Sequence, residues 1–133
     1  MLMPNITAIF IALHVLLLLT LAYRVVAMRR VHRLGLGDGA LEPVQQRIRA
    51  HANATEYVPV ALLELLALEL LGVPALWLYA AGGMLFAGRV LHAMGLSSAA
   101  GYSFGRFYGT LLTWLSMLAM AVALLFHALR QGI

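Results

Sequence analysis

QRIRAHANATEYVP, the stretch from Gln46 to Pro59, decides how the rest of the chain must be read. As an α-helix it sets Arg49, Asn53 and Glu56 on one stripe by steps of four and three, with Tyr57 beside them. The same segment runs on into mostly apolar sequence as far as Leu71, which marks it as a helix bound for a membrane. An arginine or an acid in hydrocarbon costs about 2.5–3.5 kcal/mol each. The stripe is therefore expected to face protein, water or a charged ligand rather than lipid.

Composition agrees with a membrane setting. The chain has 133 residues, enough for one domain, and 63% of them are apolar. Its mean hydropathy is +0.92, and the apolar residues are gathered in long runs. Nine arginines, no lysine and five acids leave a net charge of +4. The arginines sit at the edges of apolar runs and not on a polar face, so membrane topology explains them better than nucleic acid does. There is no cysteine, which removes disulfides, a thiolate nucleophile and cysteine-based metal sites.

Outward from the central stretch, four spans are predicted, at about residues 6–28, 44–71, 75–94 and 104–129, in a single domain covering 1–133. The expected fold class is an all-α integral membrane protein, a four-transmembrane-helix bundle. Gly35, Gly37, Asp38 and Gly39 make the first connection a turn-rich loop. Gly72 and Pro74 stop the second span and restart the chain. The third span carries Ala80, Ala81, Gly82, Gly83, Ala87 and Gly88, small residues suited to close helix packing in lipid. A loop from Gly95 to Ser103 leads to the fourth.

Orientation follows from the arginines. No basic stretch precedes the first apolar run, so span one reads as uncleaved with its N-terminus outside. The first and third connections then share a side with Arg24, Arg29, Arg30, Arg33, Arg47, Arg49, Arg89 and Arg106, against Arg130 alone on the other. That arginine-rich side is expected to be cytoplasmic, with both termini outside.

Several polar residues need a reason to be where they are. Glu56 lies about 15 Å along its helix from Gln46, too deep to reach headgroups easily. Arg49 and Glu56 could pair as a structural network; the alternative is a polar cavity open to the cytoplasm, since ionisable groups inside membranes mark functional sites by default. Glu64 reads as a buried hydrogen-bonding group and Glu69 as a solvated end residue. Arg89 and His92 share a face of span three, where Arg89 reads either as an interface anchor or as a site residue. Arg106 opens span four with Gly109, Thr110 and Thr113 on one face. His14, His51, His92 and His127 lie on different spans without HxxxH or HxxEH spacing, so no metal site is expected.

These residues resemble a known family. RAHANATEYVP (Arg49 to Pro59) is similar to the signature of the membrane-associated proteins in eicosanoid and glutathione metabolism, the MAPEG family. AMRRVHR (Ala27 to Arg33), RVLHAMG (Arg89 to Gly95) and GRFYGTLLTW (Gly105 to Trp114) follow in the matching order, and the resemblance covers essentially the whole chain. The HANATEYVP form looks most like the bacterial branch, which implies a bacterial inner membrane.

The resemblance further implies a homotrimer of four-helix bundles that binds glutathione between neighbouring subunits near the cytoplasmic side. By matching position, Arg49, Asn53, Glu56 and Tyr57 would hold glutathione, with Arg30 reaching it from the end of span one. Arg89 and His92 would border the same site, and Arg106 would be the catalytic arginine that faces the thiol. Where eicosanoid-type members carry two tyrosines at the end of span three, this chain has His92 and Leu96, which sets its substrate preference apart.

The chemistry suits these residue types. Glutathione presents two carboxylates, which arginines grip with charge-assisted bonds, and one ammonium, which suits Glu56. A free thiol has a pKa of about 8.5, and lowering it by about two units takes about 2.7 kcal/mol of differential stabilisation. An arginine in a partly dry site can supply that. The resulting expectation is a glutathione-dependent transferase or peroxidase whose thiolate attacks a hydrophobic electrophile arriving from the bilayer. A second reading is a non-catalytic trimer that binds a lipid headgroup or another anionic metabolite in the same cavity. A small four-span exporter is disfavoured, because Met1 to Tyr23 contains no acid.

Overall fold

The computed structural model describes residues 3–98 and 101–130, with the side chains of 97 and 98 left aside. All regular structure among these residues is helical: α1 (Asn5–Val31), α2 (Glu42–Leu70), α3 (Ala75–Ser98) and α4 (Phe104–Arg130). Two of the four, α1 and α4, are long and apolar enough to cross a membrane on their own composition. The connection expected to begin at Gly95 begins later, because α3 stays helical through Ser98.

Local chemistry sets the helix ends. Pro43, which lacks the amide that the first turn leaves unpaired anyway, lies at the start of α2. Gly72 takes a left-handed φ of +76° after α2, a conformation that costs glycine little, and Pro74 then starts α3. The α1–α2 connection needs positive φ at Gly37 and Gly39 and also at Arg33 and Ala40. It is tied back to α1 by Arg29, whose Nε donates to the Gly37 carbonyl at 3.1 Å.

The start of α1 is the clearest departure from the sequence reading. Pro4 offers no side-chain cap, so the first amides of α1 need an acceptor from elsewhere. Glu69, expected to be solvated, supplies it: its two carboxylate oxygens accept from the Ile6 amide at 2.9 Å and the Thr7 amide at 2.7 Å. It is buried and lashes the end of α2 to the beginning of α1. The positive end of the helix dipole adds to the attraction.

Packing is uneven round the four helices. Helix α2 touches α1, α3 and α4, and α3 touches α1, α2 and α4, whereas α1 and α4 do not touch each other. The α3–α4 contact is close enough to require glycine. A Cβ on Gly109 would collide with the backbone of His92, and one on Gly95 with the backbone of Arg106. Toward the end expected to be outside, Phe10, Leu65, Leu68, Leu78, Leu85 and Met120 form one apolar core. Toward the arginine-rich end, Leu21, Ala50, Ala54, Ala93 and Leu96 form another. Two clefts with polar residues in their lining lie on the α2–α3–α4 side of that second core.

Candidate functional site

Two adjoining clefts open between α2, the end of α3 and the start of α4. The first, about 200 Å³, is polar: Glu42, Gln45, Gln46, Arg49, Asn53, His92, Leu96 and Arg106 line it. The second, about 600 Å³, is mainly aromatic and apolar, with Tyr57, Tyr102, Phe107, Leu111 and Trp114 joined by Ser103 and Thr110. Asn53, His92 and Arg106 line both and form the wall between them.

The helical repeat explains the α2 contribution. Gln45/Gln46, Arg49, Asn53 and Tyr57 recur every three or four residues, one face of the helix, running from the polar cleft into the aromatic one. The edge of that face is where the sequence reading and the structure diverge. Glu56, placed on the stripe by spacing, is exposed and lines neither cleft, and Arg30 at the end of α1 likewise lies exposed and outside both. Arg49 and Glu56 make no ion pair with each other among the described residues, so a private α2 salt bridge does not account for them.

Beneath the clefts lies Arg89, only 2% exposed. Its Nη1 donates to Asn53 Oδ1 at 2.7 Å and its Nε to Thr113 Oγ1 at 2.9 Å. The guanidinium carbon stands 5.2 Å from the centre of the Tyr57 ring, a cation–π distance. Thr113 passes its own proton to the Gly109 carbonyl at 2.8 Å. Arg89 is thus no interface anchor. It is a buried cation whose partners are a hydroxyl, an amide oxygen and a ring, with Nη2 buried and unbonded. A cation in that position orients the two α2 side chains, Asn53 and Tyr57, that face the clefts.

Arg106 is set by the turn before α4. Its backbone amide donates to Ser103 Oγ at 3.3 Å, while that hydroxyl donates to the Gly95 carbonyl at 3.0 Å. Its Nη1 donates to the Gly101 carbonyl at 2.7 Å. Ser103 therefore staples the start of α4 to the end of α3 and fixes where the arginine emerges. The face expected to hold Arg106, Gly109, Thr110 and Thr113 is divided in function. Gly109 and Thr113 are buried against α3, and Thr110 with Arg106 faces the cleft.

Sequence reasoning missed several contributors, Trp114 and Glu42 among them. Trp114 closes the far side of the aromatic cleft and donates from Nε1 to the Tyr57 hydroxyl at 3.1 Å. It ends the GRFYGTLLTW stretch, so its position was in view although its partner was not. Glu42 brings an acid to the polar cleft from the first turn of α2. The other polar residues have structural settings. His14 is buried with Nδ1 on the Phe10 carbonyl at 2.7 Å, and Glu64 Oε2 is buried without the hydrogen bond expected of it.

Comparison with known proteins places this arrangement. The MAPEG family model matches residues 7–126. The inner membrane protein YecN of Escherichia coli strain K12 is 33% identical over 122 residues, covering 92% of each chain. The YecN protein of E. coli O6:H1 matches to the same extent. With a family match across nearly its whole length and a relative of that similarity, the chain belongs to the MAPEG family of membrane proteins.

Proposed function

We propose that this chain is a membrane-bound, glutathione-dependent transferase or peroxidase, acting as a homotrimer of four-span subunits with both termini outside and its site open to the cytoplasm. The observation that carries this reading is the convergence of Arg49, Asn53 and Arg106 on one small polar cleft that adjoins a larger aromatic one. Cationic donors suit the carboxylates of glutathione, and the aromatic cleft suits an apolar second substrate. Arg106, on the wall between them, would stabilise the thiolate.

A trimer also gives the remaining site residues a use. Glu56 and Arg30 are exposed on the single chain, and α2 carries a charged face that lipid would not tolerate. Covered by a neighbouring copy, that face would bring Glu56 and Arg30 to a glutathione bound at the seam. Helix α1, untouched by α4, leaves the side of the bundle open for such a neighbour.

The test is direct. Purified trimer titrated with glutathione should develop ultraviolet thiolate absorbance and should conjugate chlorodinitrobenzene above background. A protein that does not bind at millimolar glutathione refutes the reading. The second reading, a non-catalytic trimer holding a lipid headgroup or another anionic metabolite, is favoured by one feature: no acid other than Glu42 reaches the polar cleft of the single chain. Binding of an anionic phospholipid without any conjugation would select it.

A further inference from the structure

A third groove opens at the end of the bundle opposite the arginine-rich one, and the proposed chemistry makes no use of it. It encloses about 410 Å³ between the end of α2, the start of α3 and the end of α4. Its cause is local. Toward the arginine-rich end, glycines bring α3 and α4 into backbone contact. Past the Ser116 hydroxyl, which donates to the Ala81 carbonyl at 2.8 Å, α4 lines the gap with Ala119 and Ala123, side chains too short to fill it. Leu68 and Met120 of the apolar core form the floor, and Trp77 and Phe126 stand exposed as the walls. From Ala119 to His127 the groove follows α4 for about 12 Å, close to the depth of one leaflet in a hydrocarbon core about 30 Å thick.

We infer that this groove binds an anionic glycerophospholipid, with one acyl chain lying between α3 and α4 and the phosphate at the mouth. The mouth carries the matching charge. Arg130 rests on Phe126, its guanidinium carbon 5.1 Å from the ring centre. His127, which has a ring N–H to donate in every protonation state, lines the groove one residue further along. Pro74 has no side-chain acceptor to offer the opening amides of α3, and the first turn of that helix holds no acid. The positive end of α3 therefore borders the same mouth. No acid is among the described residues that line the groove, and Glu69, at that end of α2, spends both oxygens on the Ile6 and Thr7 amides. The flanks suit lipid and not a second copy of the chain. Helix α4 has no charged residue from Phe107 to Leu129, and Val122, Leu125 and Leu129 are exposed and apolar. The face that calls for a protein neighbour is the charged one on α2. This lipid site does not depend on glutathione being the ligand at the other end.

The chain has two tryptophans, so Trp114→Phe leaves Trp77, in the groove wall, as the sole fluorescent indole. The purified full-length Trp114→Phe protein in detergent is titrated with phosphatidylglycerol or with phosphatidylcholine, each carrying brominated acyl chains that quench an indole on contact. Phosphatidylglycerol should quench Trp77 saturably, with about fivefold higher affinity than phosphatidylcholine, the effect of one arginine on an anionic headgroup. Arg130→Gln should remove most of that preference while both lipids still bind. Ala123→Phe, which fills the groove, should abolish saturable quenching by both. Equal affinity for the two lipids, an undiminished preference in Arg130→Gln, or unchanged quenching in Ala123→Phe overturns the inference. So does the absence of saturable quenching by either lipid, the result expected if a neighbouring copy covers the groove. Should Ala123→Phe fail to fold, Arg130→Gln, a change at an exposed position, decides alone.

Discussion

Replacing Arg89 by methionine removes the guanidinium while keeping an unbranched chain of similar reach. The structure sets two large effects against each other. Taking a cation out of a buried position should relieve about 2.5–3.5 kcal/mol, the penalty of an arginine within a membrane helix. Against this stand two hydrogen bonds from a charged donor, to Asn53 Oδ1 at 2.7 Å and Thr113 Oγ1 at 2.9 Å, each worth about 1.5–3 kcal/mol. The Tyr57 contact adds about 2 kcal/mol in a site this dry. The bonds win, and Arg89→Met should destabilise the folded protein by about 3 kcal/mol. The assay is reversible unfolding in detergent, followed by helix content, for the single variant and for Arg89→Met combined with Asn53→Ala. Because the residues share a bond, the double variant should lose less than the two singles together. A variant as stable as the parent, as happens when some buried charges are replaced by apolar residues, would refute the reasoning. So would strict additivity with Asn53→Ala.

Three further outcomes follow from named contacts. Glu69→Gln keeps the shape but removes the charge that accepts from the Ile6 and Thr7 amides; it should cost about 1–2 kcal/mol and speed hydrogen exchange at those amides. Gly109→Ala forces a methyl against the His92 backbone, so α3 and α4 must part and unfolding should come about 1–3 kcal/mol earlier, measured in the same detergent assay. Ser103→Ala removes the staple between Gly95 and Arg106; thiolate formation should weaken more than glutathione affinity does, and Ser103→Thr should restore it.

Much of the fold was legible because hydrophobic runs, arginine clusters and the Gly72–Pro74 break are local signals. Helix α3 outran its expected end because nothing in Gly95 to Ser98 forbids helix, and packing of Gly95 against Arg106 holds that turn in place. Glu69 was misread for the opposite reason. Its partners lie more than sixty residues away, and the only hint was that Pro4 leaves α1 without a cap.

In the site, spacing on α2 put Arg49, Asn53 and Tyr57 together, and they lie along one helix face bordering the two clefts, since that face is fixed by the backbone repeat. Spacing could not say where that face meets neighbouring helices, so it carried Glu56 onto a face that the structure leaves outside. Arg89 was ambiguous for a related reason. Helix α3 is apolar nearly all round, and only the Asn53 and Thr113 acceptors, on two other helices, reveal that its arginine points inward.

The central claim is that the arginine-lined wall between the clefts turns bound glutathione into a thiolate. The most direct measurement is the thiolate absorbance of the purified protein at neutral pH, titrated with glutathione and compared with Arg106→Ala. The account predicts a saturable thiolate signal in the parent protein, and binding without that signal in the variant. Equal thiolate in both, or bound glutathione that stays protonated in the parent, would contradict it.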